Sequence, residues 1–259
     1  MQKFIHITDT HLLPPGELLY GLNPIDRLAL CVADVNRNHS DAAFAVLTGD
    51  LCHKGQPEAY AALKRELDKL AIPYHLLMGN HDDRANLRNT FPAVKADANG
   101  FIQYTLELGE GVLGICLDTN EPGKPWGTFC EKRAAWLKAT LDRAGNRPVM
   151  IFIHHPPFKV RMDDISLLEP QHFIAAVAGR ANIRHLFFGH LHRPVAGSWR
   201  GIPISTLRAT SHQVALDFVI EGRIPGSHEP PAYGVCLLEG DQMIVHMHDF
   251  LDRTNTFLL

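Results

Sequence analysis

The order of apolar and polar segments predicts an α/β fold: one domain, residues 1–259, built of two sheets with helices on the outside. Three observations carry that expectation. The first 80 or so residues alternate strand, helix, strand, helix, strand, which is the pattern of a helix-covered, largely parallel sheet. A second group of strand-like runs begins near Ile102 with an antiparallel pair and continues with further helices and strands. No segment repeats with a period of roughly 20–50 residues, and none is low in complexity or reads as a linker.

Each element has its own signal. Lys3–Thr8, with Phe4, Ile5 and Ile7, begins a sheet. Asn23–Arg37 carries Ile25, Leu28, Ala29, Val32 and Val35 at helical spacing. Phe44–Thr48 is a short apolar run closed by Gly49-Asp50. Pro57, tolerated in the first turn of a helix, opens a stretch to Leu70. Tyr74–Met78 is a strand ending in Gly79-Asn80-His81-Asp82, and Asp82 and Asp83 can cap a helix that begins near Arg84 or orient neighbouring ligand side chains. Ile102–Leu108 and Val112–Asp118 flank Gly109-Glu110-Gly111. Glu131–Leu141 is a helix anchored by Trp136, Leu137 and Leu141. Val149–Ile153 stops at His154-His155-Pro156-Pro157, Pro170–Val177 is helical, and His185–Phe188 ends in Gly189-His190-Leu191-His192. Ile204, Val214–Ile220, Tyr233–Leu238 and Met243–His248 read as strand and turn. Residues 204–259 are expected to complete a sheet or to form an oligomer interface, with Phe257, Leu258 and Leu259 as an apolar tail.

Composition narrows the function. Apolar residues make up 46% and charged residues 20%, so the chain can bury a core without disulfide staples. Lys plus Arg is 25 against 28 for Asp plus Glu, and that slightly acidic balance argues against a nucleic-acid polymer as partner. No apolar run approaches the roughly 18 residues of a membrane span, and Met1–Asp9 reads as strand rather than leader. Five cysteines without close pairs fit reduced thiols in a cytoplasmic protein, and Cys116 and Cys236 lie in core-like runs. The unusual count is histidine, at 16.

Five strand ends carry polar clusters: Asp9-Thr10-His11, Gly49-Asp50, Gly79-Asn80-His81-Asp82, His154-His155 and Gly189-His190-Leu191-His192. Ligands of open α/β sheets bind beyond the carboxyl ends of strands, so five strands can deliver Asp9, His11, Asp50, Asn80, His154, His190 and His192 to one edge. Asp9 with His11, and His190 with His192, are spaced i and i+2, which puts each pair on one face if the strand stays extended there. Carboxylate, amide and imidazole donors suit Mn, Fe or Zn and need no thiolate. Seven donors exceed one ordinary site and divide between two ions that share a carboxylate.

As an ordered set these motifs resemble the calcineurin-like metallophosphoesterases, over Asp9 to His192. Thr8-Asp9-Thr10-His11, Gly16-Glu17-Leu18-Leu19-Tyr20-Gly21, Gly79-Asn80-His81-Asp82-Asp83 and His154-His155-Pro156-Pro157 are most similar to the bacterial branch of cyclic-nucleotide phosphodiesterases and glycerophosphodiesterases. The resemblance implies a four-layer α/β/β/α sandwich of two mixed sheets. It implies a first divalent metal on Asp9, His11, Asp50 and His192, and a second on Asp50, Asn80, His154 and His190. Asn80, His81 and His212 would meet the substrate, with His81 as a non-ligand histidine at the phosphate. Purple acid phosphatases of the superfamily have a tyrosine three residues after the shared aspartate; His53 stands there, so an iron(III)-tyrosinate is not expected. The implied activity is hydrolysis of small phosphodiesters, first of all 3′,5′-cyclic nucleotides, with glycerophosphodiesters as the alternative. A nuclease or a non-catalytic scaffold is weaker, because the chain is acidic and every metal position is filled. Outside the motifs, His155 reads as packing or as support for a ligand, His246 and His248 as an exposed strand face, and Tyr20 as packing or a gate.

Overall fold

The computed structural model describes residues 1–160, 167, 168, 170–219, 223–252, 254, 257 and 258. Ile220 and Leu259, which the sequence reading included, lie outside the described residues. The elements run β1 (Gln2–Ile7), α1 (Pro24–Asn38), β2 (Ala45–Leu47), α2 (Pro57–Leu67), β3 (Tyr74–Leu76), α3 (Arg84–Thr90), β4 (Tyr104–Gly109), β5 (Val112–Leu117), β6 (Gly127–Thr128) and α4 (Glu131–Ala144). There follow β7 (Val149–Ile153), β8 (Leu167–Leu168), α5 (Gln171–Val177), β9 (Ile183–Phe188), β10 (Val195–Trp199), β11 (Ile202–Thr206), β12 (Gln213–Val214), β13 (Gly226–Ser227), β14 (Tyr233–Glu239) and β15 (Gln242–His248).

Two mixed sheets result. The first has the order β15-β14-β1-β2-β3, with β1, β2 and β3 parallel and β14 antiparallel to β1. The second has the order β10-β11-β9-β7-β5-β4, parallel from β11 to β5 and antiparallel at both edges. The two-residue period of a strand sorts the side chains between layers. Along β7, Met150 and Phe152 join the core of the first sheet, while Val149, Ile151 and Ile153 join a second core with Leu137 and Leu141 of α4 and Phe173 and Val177 of α5. Phe4 of β1 meets Phe152 and Phe187 edge-on at 6.0 and 5.8 Å, so the sheets pack face to face. Leu28, Val32 and Val35 of α1, and Leu63 and Leu67 of α2, cover the first sheet from outside. The architecture is the expected α/β/β/α sandwich.

Local chemistry explains most element ends. The Asn23 side chain accepts the Ile25 N–H at 3.1 Å and starts α1, and the Asp83 carboxylate accepts the Asn86 N–H at 2.8 Å and starts α3. Helix α2 stops at Leu67 rather than Leu70, because the next N–H groups bond three residues back, Lys69 to Glu66 and Leu70 to Leu67. Of Val214–Ile220, read as strand and turn, only Val214 lies in a strand, β12 (Gln213–Val214), among the described residues. Leu216, Phe218 and Val219 are exposed, and the Asp217 side chain holds a turn by accepting the Val219 N–H at 2.7 Å, so no apolar face is there to pack. Strand β10, exposed along its middle, carries little apolar signal and was not expected. The cysteines are free, with Cys116 and Cys236 fully buried, and no described helix is long and apolar enough to cross a membrane.

Two core histidines make folding sensitive to acid. Burial pushes His6 down to about 3 and His185 down to about 4. Each ring bonds a hydroxyl, Thr48 and Ser205, at 2.8 Å. The unfolded chain takes up a proton near pH 6.5 that the folded chain refuses, so their contribution is complete above that pH and is lost as pH falls toward 4. Stability should drop by up to about 1.4 kcal/mol per pH unit for each group. His185→Gln keeps a partner for Ser205 and cannot titrate, so its denaturation midpoint should fall less steeply between pH 6.5 and 4; an unchanged slope would remove His185 from this account.

Candidate metal centre

The carboxyl ends of β1, β2, β3, β7 and β9 open onto one hollow, and all seven expected donors line it or lie just beneath it. The expectation that Asp9 and His11 continue an extended strand is not met, nor is it for His190 and His192. β1 ends at Ile7, and Asp9 and His11 take φ of 53° and 46°; Asp50, His190 and His192 have φ of 49°, 71° and 48°. Among the described residues, eight non-glycine residues have positive φ, and five of them are these donors. Each such conformation costs on the order of 1–3 kcal/mol and persists where the surroundings fix it. Here the surroundings are a short ladder between two loops. The Asp9 N–H donates to Gly49, His11 to Asp50, Leu12 to Leu51 and His53 to Leu12, at 2.9–3.2 Å.

Two glycines make this approach possible. A Cβ on Gly79 would lie 2.1 Å from Asp50 Oδ1, and one on Gly49, whose φ is +97°, would lie 2.6 Å from His154 Nδ1 and from the Gly79 nitrogen.

The donors form two sets. Ligand atoms of Asp9, His11, Asp50 and His192 lie within 4.8 Å of one another. His11 Nε2 is 2.9 Å from His192 Nε2 and 3.5 Å from Asp50 Oδ2, and His192 Nε2 is 3.4 Å from Asp9 Oδ1. On the other side, His154 Nε2 is 3.4 Å from the same Asp50 oxygen and 3.2 Å from Asn80 Oδ1. Asp50 Oδ2 therefore stands between the sets, as a shared ligand must. His190 completes the hollow, its ring 5.1 Å from that of His154 and its buried Nε2 without a hydrogen-bond partner among the described residues. Nitrogens that face each other beside carboxylates, plus a buried orphan nitrogen, are a donor set that cations satisfy.

The outer atoms are fixed as metal ligands require. His154 Nδ1–H donates to the Thr48 carbonyl at 2.7 Å, and His192 Nδ1–H to the His212 carbonyl at 2.8 Å. Asp9 accepts the His190 N–H and the Thr8 hydroxyl; Asp50 Oδ1 accepts the His81 N–H at 2.9 Å. Burial alone would raise both carboxyls. The histidines around them reverse that, His192 chiefly for Asp9 and His154 for Asp50, and both are held below the usual carboxylate range. Burial lowers His154 as well, but the Asp50 charge wins and pushes it up to about 9. Burial dominates at His11, held well below its ordinary value, and at His190, pushed down to about 3; both are lone-pair donors at neutral pH.

The remaining residues fall around this centre. His81 lines the cavity and donates Nδ1–H to the His53 carbonyl at 2.7 Å, which leaves Nε2 for a ligand. His212 also lines it, its ring 4.7 Å from that of Tyr20, an exposed residue at the mouth rather than a packed one. Burial, reinforced by His192, lowers His212 to about 3. His155 is fully buried and takes its Thr119 contact at 2.7 Å. His246 is exposed as expected, but His248 is not a free surface group: its Nε2 bonds buried Asp34 at 3.0 Å. Asp83 is the cap, and Asp82 has a different task. Its carboxylate collects the N–H groups of Leu51, Cys52 and Gly79 and the Tyr60 hydroxyl, tying the Asp50 and Asn80 loops together. Asn120 supports the same loop through the Gly79 and Asp82 carbonyls. Sequence reasoning missed Asn120, Ile224 and His228; the last two line a cavity of about 750 Å³ from a hairpin that has no motif.

The chain is similar to several known proteins. A family model described as calcineurin-like phosphoesterase matches residues 2–194. A probable cyclic nucleotide phosphodiesterase of Rhodopseudomonas palustris is 44% identical over 96% of this chain and 93% of its own. A glycerophosphodiester phosphodiesterase of Enterobacter lignolyticus is 31% identical over 98% of this chain and 93% of its own. The crystal structure of a dimetal phosphatase from Danio rerio superposes with a TM-score of 0.74 at 17% identity, over 97% of each chain, and so shares the fold.

Gly79→Ala should weaken any hold of these donors on divalent cations, since the added methyl displaces Asp50. The expected result is loss of at least one bound ion per chain by elemental analysis, with an unchanged far-ultraviolet circular dichroism spectrum. Full metal content in that variant would contradict the packing described here.

Proposed function

We propose that this chain, which belongs to the calcineurin-like phosphoesterase family, hydrolyses small phosphodiesters with 3′,5′-cyclic nucleotides as its substrates. In this reading Asp9, His11, Asp50 and His192 hold one divalent ion, and Asp50, Asn80, His154 and His190 hold the second. The oxygen and imidazole donors suit Mn, Fe or Zn. When bound, such ions supply an activated water and neutralise the phosphate oxygens.

The chain's own residues do the rest. Asp50 keeps the two donor sets in register through one oxygen. His81, with Nδ1–H committed to the His53 carbonyl, presents Nε2 to the phosphate and, as the doubly protonated imidazolium, passes its Nε2 proton to the departing alkoxide. Breaking the P–O3′ bond of a cyclic nucleotide this way yields a 5′-nucleotide. Neither a Gly-x-Ser-x-Gly elbow nor a Walker loop is present, and no side-chain nucleophile is needed.

The substrate class is supported by one feature of the cavity wall. Tyr20 stands over His212, and Val214, Ile224 and Pro125 extend that wall with apolar surface. A flat base can stack there for about 1–3 kcal/mol, and a glycerol moiety cannot. The strong likeness to the R. palustris protein points the same way. The E. lignolyticus relative keeps glycerophosphodiester hydrolysis as the second reading.

Cyclic AMP, cyclic GMP and glycerophosphoethanolamine assayed side by side decide between them. Faster turnover of the cyclic nucleotides, abolished by chelator and restored by Mn, is expected; preference for glycerophosphoethanolamine would overturn the substrate assignment. Tyr20→Ala should raise KM for cyclic AMP about tenfold, from about 1.4 kcal/mol of lost stacking, without changing KM for glycerophosphoethanolamine. His81→Ala should lower kcat by about 10²- to 10⁴-fold and keep its metal, whereas loss of metal would make His81 a ligand.

A further inference from the structure

His53 belongs to neither donor set, yet it touches both a proposed ligand and the proposed proton donor. Its backbone is pinned by the ladder between the first two loops, with the His53 N–H donating to Leu12 at 2.9 Å. From there its ring Nδ1 lies 3.2 Å from His11 Nδ1. Its carbonyl accepts His81 Nδ1–H at 2.7 Å, and its ring stacks on that of His81 with centroids 4.8 Å apart and planes at 19°.

The bond between the two Nδ1 atoms has one consistent polarity. His11 Nε2 points inward, 2.9 Å from His192 Nε2 and 3.5 Å from Asp50 Oδ2. An imidazole that gives its Nε2 lone pair to a cation carries its proton on Nδ1. His11 is then the donor, His53 Nδ1 the acceptor, and the His53 proton sits on Nε2. A metal-bound histidine fixed by an outer acceptor is a recurring device, and removing the acceptor typically weakens metal binding about 10- to 100-fold.

We infer that His53 is a positioning residue that holds His11 in its Nδ1–H form for the cation and, by stacking and through its carbonyl, orients His81 toward the substrate. The inference rests on the dinuclear reading above. It assigns a supporting role to the position three residues after Asp50.

Two variants and one spectrum test it. His53→Phe keeps a flat ring and removes the acceptor; His53→Gln restores an acceptor oxygen. Titration of the metal-free chain with zinc should show one of two binding events weakened about 10- to 100-fold in His53→Phe and largely recovered in His53→Gln. Long-range proton–nitrogen spectra of the wild-type imidazoles should show His11 protonated at Nδ1 and His53 protonated at Nε2, with the His11 Nδ1–H signal shifted or lost in His53→Phe. Unchanged zinc affinities in His53→Phe, or a wild-type His53 protonated at Nδ1, would overturn the inference. Fewer than two zinc ions on the wild-type chain would instead overturn the dinuclear reading, and the spectrum would still report whether His53 accepts from His11.

Discussion

Asp9 and Asp50 are buried carboxylates, and their burial is the constraint on which the rest depends. Such a group is tolerable only when its charge is met by donors or cations. Asp9 is met by the His190 amide, the Thr8 hydroxyl and His192. Asp50 is met by the His81 amide, with His11 and His154 on either side. The arrangement solves one problem and creates another, because it packs imidazole nitrogens against one another. A pair of cations satisfies both the carboxylates and the nitrogens, so the proposed chemistry and the stability of the hollow share one cause.

Holding these groups together takes backbone that is not relaxed. Left-handed residues at Asp9, His11, Asp50, His190 and His192 curl each chain back after its strand, so that residues two apart meet in one hollow. The curls hold because the parts around them are rigid. Phe4 locks against Phe152 and Phe187, which fixes one sheet over the other, and Asp82 ties the loops after β2 and β3. The candidate metal centre therefore lies between layers whose relation is set by aromatic packing some distance from any donor.

A layered origin also explains the division of labour around the cavity. Strand ends supply the donors, which need fixed positions. The rest of the cavity wall, which meets the remainder of the substrate in the proposed reading, comes from the loop carrying Tyr20 and from β12 and β13, segments with little apolar burial. Exchange of those segments can alter substrate choice and leave the centre intact, in keeping with relatives named for cyclic nucleotides and for glycerophosphodiesters on one scaffold.

Sequence by itself determined the strands and helices that carry strong periodicity, such as Val149–Ile153 and Glu131–Leu141, and it determined which seven side chains meet, because each sits at a strand end beside a glycine or a histidine partner. Weak signals failed where burial was weak, at β10 and at Leu216–Val219. Only the tertiary structure decided how the donors are aimed, since the extended pairing expected for Asp9 with His11 gives way to left-handed curls. It alone decided that Asp50 stands between two sets, that Asp82 braces two loops, and that His53 meets His11 across 42 residues of chain. The reason is physical: spacing along a chain fixes local direction, whereas the face a ring nitrogen presents is fixed by whichever distant carbonyl, carboxylate or imidazole the packing brings to its other side.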